Sequence, residues 1–274
     1  MLNKTTILGT EITNETTEII LEYLLQGLKS NKKFYITTPN PEILVYARSH
    51  KNYKNILNSA EISLPDGSGL FLASILLGKP FKQRIPGVDF LEFICKNTVR
   101  NPISMGFLGG RGGVAEKTAK CLMKKYPHLK IVYVGEEWGG EGFLYTEVKS
   151  KIIHSASSAH ENQKSKLQLK SPNGQGQKTK AQGPIIDLLF VAYGAPMQEE
   201  WIYKNLDKIP VKAAMGVGGA FDYISGGVKR APFMIRAIGF EWLYRLFKEP
   251  WRWKRQLALI EFVRLVFKER FAKR

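Results

Sequence analysis

Residues 56–77, ILNSAEISLPDGSGLFLASILL, indicate the fold class of this 274-residue chain. An apolar run opens the stretch and predicts a strand, and helical spacing of apolar residues closes it. Between the two, Pro65 fixes one backbone angle and Gly67 permits angles that a side chain would forbid, so the turn can present Asp66 outward. A strand, a glycine turn and a helix in succession are typical of an α/β protein.

The same alternation continues along the chain. Strands are predicted at 34–37, 56–64, 103–108, 130–134, 185–192 and 211–217, and helices at 41–50, 67–77 and 114–126. This pattern predicts an α/β fold with a Rossmann-like, mostly parallel sheet flanked by helices. Ligands of such sheets bind beyond the carboxyl ends of the strands, so we expect the strand-to-helix turns to meet at one cleft.

The net charge of +17 is concentrated in two segments. Residues 149–182 carry 7 Lys and 1 Glu, and residues 229–274 carry 13 Lys and Arg against 4 acidic residues. The first segment is rich in Ser, Gln, Lys and Gly without a helical or strand period, so about 150–182 is predicted to be a disordered surface insertion. The remainder is close to neutral, whereas a nucleic-acid-binding module would carry a basic face across the core; no nucleic acid is expected as a partner.

The termini and cysteines indicate the compartment. The N-terminus has polar residues where a signal peptide needs an apolar core, and no apolar stretch is long enough to cross a bilayer. The two cysteines, Cys95 and Cys121, lie in helix-like segments. We therefore expect a cytoplasmic protein with reduced, structural thiols.

Two turns carry side chains suited to binding or catalysis. Asp66 is the candidate general base, although a lone Pro-Asp-Gly turn commonly has an aspartate that bonds only its own backbone. Pro41 suits the first turn of a helix, which makes Asn40 a plausible cap and leaves backbone amides near Thr38 open to a phosphate or hydroxyl group. For Asn40, capping and ligand binding are both open.

Two further turns are candidates for ligand binding. GFLGGRGGVAEKTA, at 106–119, contains Gly109 and Gly110, whose amides at a helix start can hold a diphosphate. It loosely resembles a dinucleotide fingerprint, so a nucleotide-binding oxidoreductase is an alternative. In GAPMQEEW, at 194–201, Gln198 can donate to and accept from sugar hydroxyls or a uracil edge, whereas the two glutamates complement the helix dipole. Asp222, in the glycine-rich segment 215–232, is either a ligand-binding residue or a turn residue.

The C-terminal segment from Phe240 interleaves aromatic and aliphatic residues with Lys and Arg. A set of apolar residues at three- or four-residue steps shares one helical face: Leu257, Ile260, Val263, Phe267 and Phe271. Pro250 is expected to divide the segment into two helices. Such a basic amphipathic element suits an anionic membrane, and packing on the core or on another subunit is the alternative. We divide the chain into a catalytic domain at 1–239 and an appendage at 240–274.

A set of motifs occurs in the order seen in the WecG/TagA/CpsF family of glycosyltransferases: TTPNPE, LPDGSG, QRIPGVDF, GFLGG with GVAEKTA, GAPMQEEW, MGVGGAFDYISGGVKRAP and GFEWLYRLFKEPWRWKR. The chain resembles this family over nearly its whole length except the insertion. The resemblance implies transfer of a hexose, such as N-acetylmannosamine, from a UDP-sugar to a polyprenyl-diphosphate-linked sugar during synthesis of teichoic acid, capsule or exopolysaccharide.

The resemblance also assigns residues. It places Thr38, Asn40, Asp66, Arg84 and Gln198 at the family's active-site positions and associates the region of Asp222 with substrate binding. It places Arg245, Arg252 and Arg255 where the appendage is expected to reach the UDP diphosphate. Because the family's acceptor is a membrane lipid, it implies peripheral association with the inner face of the cell membrane; homo-oligomer formation stays open.

The side chains predict an inverting reaction in which Asp66 removes the proton of an acceptor hydroxyl as UDP departs from the opposite face of the sugar. Arg84 or the glycine-loop amides would stabilise the leaving group, with Asp89 as a competing partner of Arg84. No Asp-x-Asp motif is present. We therefore expect metal-independent transfer without a cofactor, although Asp66, Asp89 and Asp222 could still meet around an ion.

Overall fold

The computed structural model describes residues 1–30, 32–138, 185–237, 239–248 and 253–272, and only the backbone of 237 and 254–256. The predicted insertion at about 150–182, Pro250 and Arg252 therefore lie outside the described residues. So does the side chain of Arg255, whose backbone is helical.

A six-stranded parallel sheet forms the centre of the fold, in the order β4-β3-β8-β7-β5-β6. A separate antiparallel hairpin precedes it. The strands are β1 (Lys4–Ile7) and β2 (Thr10–Thr13) of the hairpin, then β3 (Phe34–Thr37), β4 (Ile62–Ser63), β5 (Ser104–Gly109), β6 (Lys130–Gly135), β7 (Ile186–Ala192) and β8 (Val211–Gly216). The predicted mostly parallel sheet is confirmed.

Helices connect and cover these strands. They are α1 (Thr17–Gly27), α2 (Pro41–Ser49), α3 (Lys51–Asn58), α4 (Ser68–Leu76), α5 (Gly87–Asn97), α6 (Val114–Lys125), α7 (Met197–Asn205), α8 (Ala220–Ile224), α9 (Phe233–Ala237), α10 (Glu241–Lys248) and α11 (Trp253–Phe271), with a 3-10 turn at Leu206–Lys208.

The central strands are buried on both faces, which explains their nearly continuous apolar sequences. In β7, Leu188 and Phe190 belong to one apolar cluster, and Leu189 and Val191 belong to another. Successive side chains of a strand point to opposite faces of the sheet. Helices therefore cover both faces, and the carboxyl edge of the sheet stays available for a site.

The prediction of one strand over 56–64 is wrong in its first half. Residues 51–58 form α3, and only Ile62–Ser63 forms the strand. Tyr53, Ile56 and Leu57 are buried together on one face of the helix, since side chains three and four residues apart lie on the same face. The N-terminal hairpin was not predicted, because its short strands mix Thr and Lys with few apolar residues.

The appendage forms two helices, α10 and α11, and α11 packs on the core. Phe262, Leu265 and Val266 are buried in a cluster with residues of the hairpin, α2 and α4. The backbone N–H of Leu8, in the hairpin turn, donates to Glu269 at 2.9 Å. The amphipathic face predicted from the sequence is the opposite one, and its five apolar residues are 46–69% exposed. Within the part of the chain that the structure describes, no helix is both long and apolar enough to cross a membrane.

Candidate functional site

The site lies at the carboxyl edge of four adjacent strands, β4, β3, β8 and β7. The turn after β4 carries Asp66, and the turn after β3 carries Asn40. The turn after β8 carries Gly218, and the turn after β7 leads into α7, whose first turn carries Gln198. Four turns that are far apart in the sequence therefore converge, as expected for a parallel sheet.

Two cavities meet at this edge. The loop-side cavity, of about 350 Å³, lies against the turns after β7 and β8 and is lined by residues that include Thr38, Gly194, Gln198, Gly218, Gly219 and Asp222. The helix-side cavity, of about 230 Å³, lies against α4, α10 and α11 and is lined by residues that include Ser68, Arg84, Arg230, Trp242, Leu246 and Leu259. Six residues line both cavities: Asn40, Glu42, Asp66, Val88, Tyr223 and Arg245.

Asp66 is half-buried at the junction of the cavities. Its backbone N–H donates to the carbonyl of Pro39 at 3.1 Å, and its carboxylate accepts from the N–H of Gly87, at the start of α5, at 3.3 Å. The carboxylate is therefore not engaged only with its own turn. Burial raises the pKa of Asp66 to about 6, and Gly87 and Arg84 offset only part of that effect. A carboxyl group with a pKa near neutrality is suited to general base catalysis.

Asn40 and Thr38 both bond to the protein as well as facing a cavity. The side chain of Asn40 accepts from the N–H of Ile43 at 3.0 Å, so the predicted helix cap is confirmed. The hydroxyl of Thr38 donates to the carbonyl of Gly216, at the end of β8, at 3.1 Å. Asn40 therefore fixes the start of α2, and Thr38 fixes the end of β8 beside the cavities.

Arg84 does not take Asp89 as its described partner. It donates to the carbonyl of Arg236 at 3.0 Å and lines the helix-side cavity. Asp89 is held instead by Arg230, which forms a two-pronged ion pair with it and also donates to Glu241 at 3.2 Å. These charge-assisted bonds connect α5 to the first turn of α10, so the first appendage helix is tied to the rim of the site.

Of the three appendage arginines that the resemblance assigns to the diphosphate, Arg245 is the one whose side chain the structure describes. Its guanidinium lies over the ring of Tyr223, 4.9 Å from the ring centroid, and it lines both cavities. Asp222 lies in the first turn of α8 and lines the loop-side cavity. The structure thus brings Asp222 and Arg245 to the cleft.

Gln198 is buried and bonded within the protein. Its amide oxygen accepts from the N–H groups of Gly194 at 3.2 Å and Gly218 at 2.9 Å, and its amide nitrogen donates to Glu199 at 2.7 Å. Glu199 also accepts from the hydroxyl of Tyr53 at 2.9 Å. Glu199 lies in the first turn of α7, the position from which an acid complements the helix dipole, but its side chain is also fully buried and bonded within the protein.

The predicted glycine loop lies elsewhere on the sheet. Gly109 and Gly110 follow β5, and neither residue lines either of the two cavities that meet at Asp66. β4 and β5 are four interstrand spacings apart, roughly 19 Å at about 4.8 Å each. A Cβ on Gly109 would lie 2.9 Å from the backbone of Ala192, so this glycine permits a close approach of β7.

The sequence analysis gave no role in the cleft to several of its residues, among them Glu42, Tyr223, Glu241 and Trp242. Each of them lies within one of the family motifs, which is the sequence signal that could have found it. Among the described residues, no group of three or more His, Cys, Asp or Glu side chains is arranged to hold a metal ion. Asp89, one of the three aspartates considered for an ion, is paired with Arg230.

These features define an α/β protein whose cleft joins two cavities at one carboxyl group of raised pKa. The family described as Glycosyl transferase WecG/TagA/CpsF matches residues 5–159 and 177–274, and this chain belongs to that family. The gap in the match falls within the predicted insertion. Because the family consists of glycosyl transferases, the oxidoreductase and nucleic-acid-binding alternatives are not supported.

Two relatives illustrate the likeness. The chain is 30% identical, over 97% of its length and 90% of the relative's, to the N-acetylglucosaminyldiphosphoundecaprenol N-acetyl-beta-D-mannosaminyltransferase of Bacillus spizizenii. It is 29% identical, over 92% of its length and 86% of the relative's, to the protein of the same name from Staphylococcus aureus strain MRSA252.

Proposed function

We propose that this protein is an inverting glycosyltransferase that moves N-acetylmannosamine, or a closely related hexose, from a UDP-sugar to a polyprenyl-diphosphate-linked sugar in the synthesis of a bacterial surface polymer. The observation that carries the proposal is the position of Asp66 at the junction of two cavities. A transferase has to bring a donor and an acceptor to one base, and this junction offers such a place.

The loop-side cavity is the proposed donor site. Its wall contains the glycine turns after β7 and β8, together with Asp222 and Arg245. A guanidinium is suited to a diphosphate, and a carboxylate is suited to sugar hydroxyls. Arg245 would stabilise the negative charge that develops on UDP as the bond between the anomeric carbon and the diphosphate oxygen breaks.

The helix-side cavity is the proposed acceptor site. It combines Arg84 and Arg230 with apolar residues of the appendage, among them Trp242, Leu246 and Leu259. This mixture suits a lipid-linked sugar, which presents a diphosphate beside a hydrocarbon chain. The relatives' names specify an N-acetylglucosaminyl-diphosphoundecaprenol acceptor for those proteins, and we propose the same class for this chain.

In the proposed reaction, Asp66 takes the proton from an acceptor hydroxyl while that oxygen attacks the anomeric carbon. UDP leaves from the opposite face of the sugar, so the anomeric configuration inverts. The electron pair of the broken bond goes to UDP, and the proton goes to Asp66. No metal ion takes part in this proposal, since the sequence contains no Asp-x-Asp and the described residues contain no cluster of metal-ligating side chains.

The test is a transfer assay with a panel of UDP-hexoses and a lipid-linked N-acetylglucosamine analogue, scored by UDP release and by the mass of the product. We expect UDP-N-acetylmannosamine to be the best donor and the product's anomeric configuration, read by NMR, to be inverted. Transfer should persist in EDTA. Absence of transfer from every UDP-hexose would refute the function, and loss of transfer in EDTA would refute only its metal independence.

We also propose that α11 attaches the protein to the inner face of the membrane. Its buried face packs on the core, and the exposed face of Ile260 and Phe267 continues along the helix beside exposed Arg264 and Lys268. An exposed apolar face bordered by cations suits an anionic lipid surface. The packing of α11 on the core is compatible with this role, because it uses the other face of the helix.

Sedimentation with phosphatidylglycerol vesicles tests this attachment. Ile260→Glu combined with Phe267→Glu should remove most binding without unfolding the protein, because both side chains are exposed. Val99→Glu is the matched control, since Val99 is an exposed apolar residue outside the appendage. Equal binding by the double variant and the control would refute a role for this face.

A further inference from the structure

One buried amide joins the two turns that form the wall of the loop-side cavity. The oxygen of Gln198 accepts from the N–H of Gly194, after β7, and from the N–H of Gly218, after β8. Backbone N–H groups can only donate, so the amide oxygen has to face these turns. The amide nitrogen therefore faces Glu199, and the orientation of the side chain is determined by the bonds around it.

Glu199 holds the other side of this amide. Its side chain is fully buried, and its two described hydrogen bonds come from neutral groups, the amide of Gln198 and the hydroxyl of Tyr53. Burial raises the pKa of Glu199 above its usual range. A buried carboxyl group without a cationic partner costs free energy that an apolar side chain of the same volume would not cost. We therefore attribute the role of Glu199 to the orientation of the Gln198 amide and not to a gain in stability.

We propose that Glu199 is a positioning residue of the transferase site and acts through Gln198 to hold the turns of Gly194 and Gly218 at the spacing that the donor requires. The inference rests on the proposed function and adds a residue to it. Without an acceptor at 199, the amide nitrogen of Gln198 would be buried without a partner. The amide would then turn away, and both glycine turns would lose the bond that joins them.

The packing around Gln198 makes this coupling tight. A Cβ on Gly216 would lie 2.9 Å from the amide nitrogen, so the end of β8 already approaches the side chain closely. A rotated amide would turn its N–H groups toward the N–H groups of Gly194 and Gly218, so these two turns would have to move apart. The carbonyl of Gly216 also accepts a hydrogen bond from the hydroxyl of Thr38. A shift of this backbone would therefore also move the wall of the cavity beside Asn40.

The isosteric change Glu199→Gln preserves this arrangement. The new amide oxygen can accept from Gln198, and the new amide nitrogen can donate to Tyr53, whose hydroxyl then acts as an acceptor. Glu199→Met has a similar volume but accepts poorly. Comparison of these two variants therefore separates the positioning role from charge and from filling of space.

The experiment measures initial rates with the UDP-sugar and the lipid-linked acceptor varied separately. Glu199→Met should lower kcat/KM for the donor by roughly ten- to a hundredfold, chiefly through a higher donor KM, while the acceptor KM stays near that of the wild type. Glu199→Gln should behave like the wild type. Glu200→Gln, the matched control at a half-buried neighbour that pairs with Lys204 at 3.9 Å, should also behave like the wild type.

Several outcomes would overturn the inference. One is a folded Glu199→Met with an unchanged donor KM, another is an equal rise of both KM values, and a third is damage by Glu199→Gln equal to that by Glu199→Met. If Glu199→Met does not fold, Glu199→Asp takes its place, because it keeps the charge but withdraws the acceptor by one methylene; an unchanged donor KM would then overturn the inference.

The proposed function and the positioning role fail in different ways. A wild-type protein without transfer refutes the function. Calorimetric titration with UDP then still ranks the variants, and weaker UDP binding by Glu199→Met than by Glu199→Gln would support the positioning role. Equal UDP binding by all variants would contradict it.

Discussion

Two glycine-bearing turns of this protein look alike in sequence and differ in the structure. The turn at 64–69 and the turn at 109–113 each follow a strand of the same parallel sheet and each lead into a helix. The first presents Asp66 to both cavities, whereas Gly109 and Gly110 of the second line neither. The difference comes from strand order, because β5 is separated from β3 by β8 and β7. A motif at a strand end therefore belongs to the cleft only if its strand does.

Removal of the proposed base should produce the largest difference between the two turns. Asp66→Asn should lower kcat by roughly 10²- to 10⁴-fold, the usual contribution of a general base, while UDP binding is retained. Arg111→Gln, an exposed position in the second turn, should leave kcat unchanged. Transfer assays with UDP calorimetry measure both. Near-native turnover of Asp66→Asn would refute the catalytic assignment and show that Asp66 is a structural turn residue.

The pH dependence of turnover sharpens the same point. The pKa of Asp66 is raised to about 6, so the base becomes protonated and inactive as the pH falls through that value. We expect kcat/KM to fall about tenfold per pH unit below 6, and therefore about a hundredfold at pH 4. Arg111→Gln should give the same profile. A profile that is flat from pH 7 to pH 4 would contradict the assignment.

As the pH rises through the pKa of Asp66, turnover should increase while the free energy of unfolding falls. Because the native carboxyl binds its proton more tightly than the unfolded one, stability from this group is lost as the pH rises from about 4 to about 6. Asp66→Asn removes that loss and should raise the free energy of unfolding by up to about 3 kcal/mol at pH 8, with no gain below pH 4. Urea unfolding at the two pH values measures it. An equal effect at both would show that the charge is not responsible.

The second turn should matter for folding more than for binding. Gly109 has a φ of 104° and approaches the backbone of Ala192, so Gly109→Ala should lower the free energy of unfolding by about 1–3 kcal/mol. UDP affinity of the folded protein should stay unchanged. Thermal unfolding and UDP calorimetry test the two parts. Loss of UDP binding by a folded Gly109→Ala variant would show that this turn contributes to the donor site.

Much of the fold could be predicted because its signals are local. The apolar runs of β5, β6, β7 and β8 and the helical spacing of α2, α4 and α6 match the structure within one or two residues. The error at 56–64 arose because Ile56 and Leu57, two apolar residues on one helical face, resemble the start of a strand in a short window. The cap at Asn40 was also predictable, since a cap and a following proline depend only on neighbours in the chain.

The candidate site was predictable in part. Asp66, Asn40, Arg84, Asp222 and Arg245 all lie at the cleft, as the motifs and the family resemblance suggested. The partners of these residues were not predictable, because they come from distant parts of the chain. The ion pair of Asp89 with Arg230 spans 141 residues, and the bond of Glu199 to Tyr53 spans 146.

The sequence by itself determined the α/β class, the family motifs and the carboxylate at position 66, because these depend on periodicity, turn chemistry and residue identity. Only the tertiary structure decided which turns share a cleft, that burial raises the pKa of Asp66, and which face of α11 packs on the core. The physical reason is that strand order, desolvation and helix docking arise from contacts between residues that are far apart in the chain, and no local pattern encodes them.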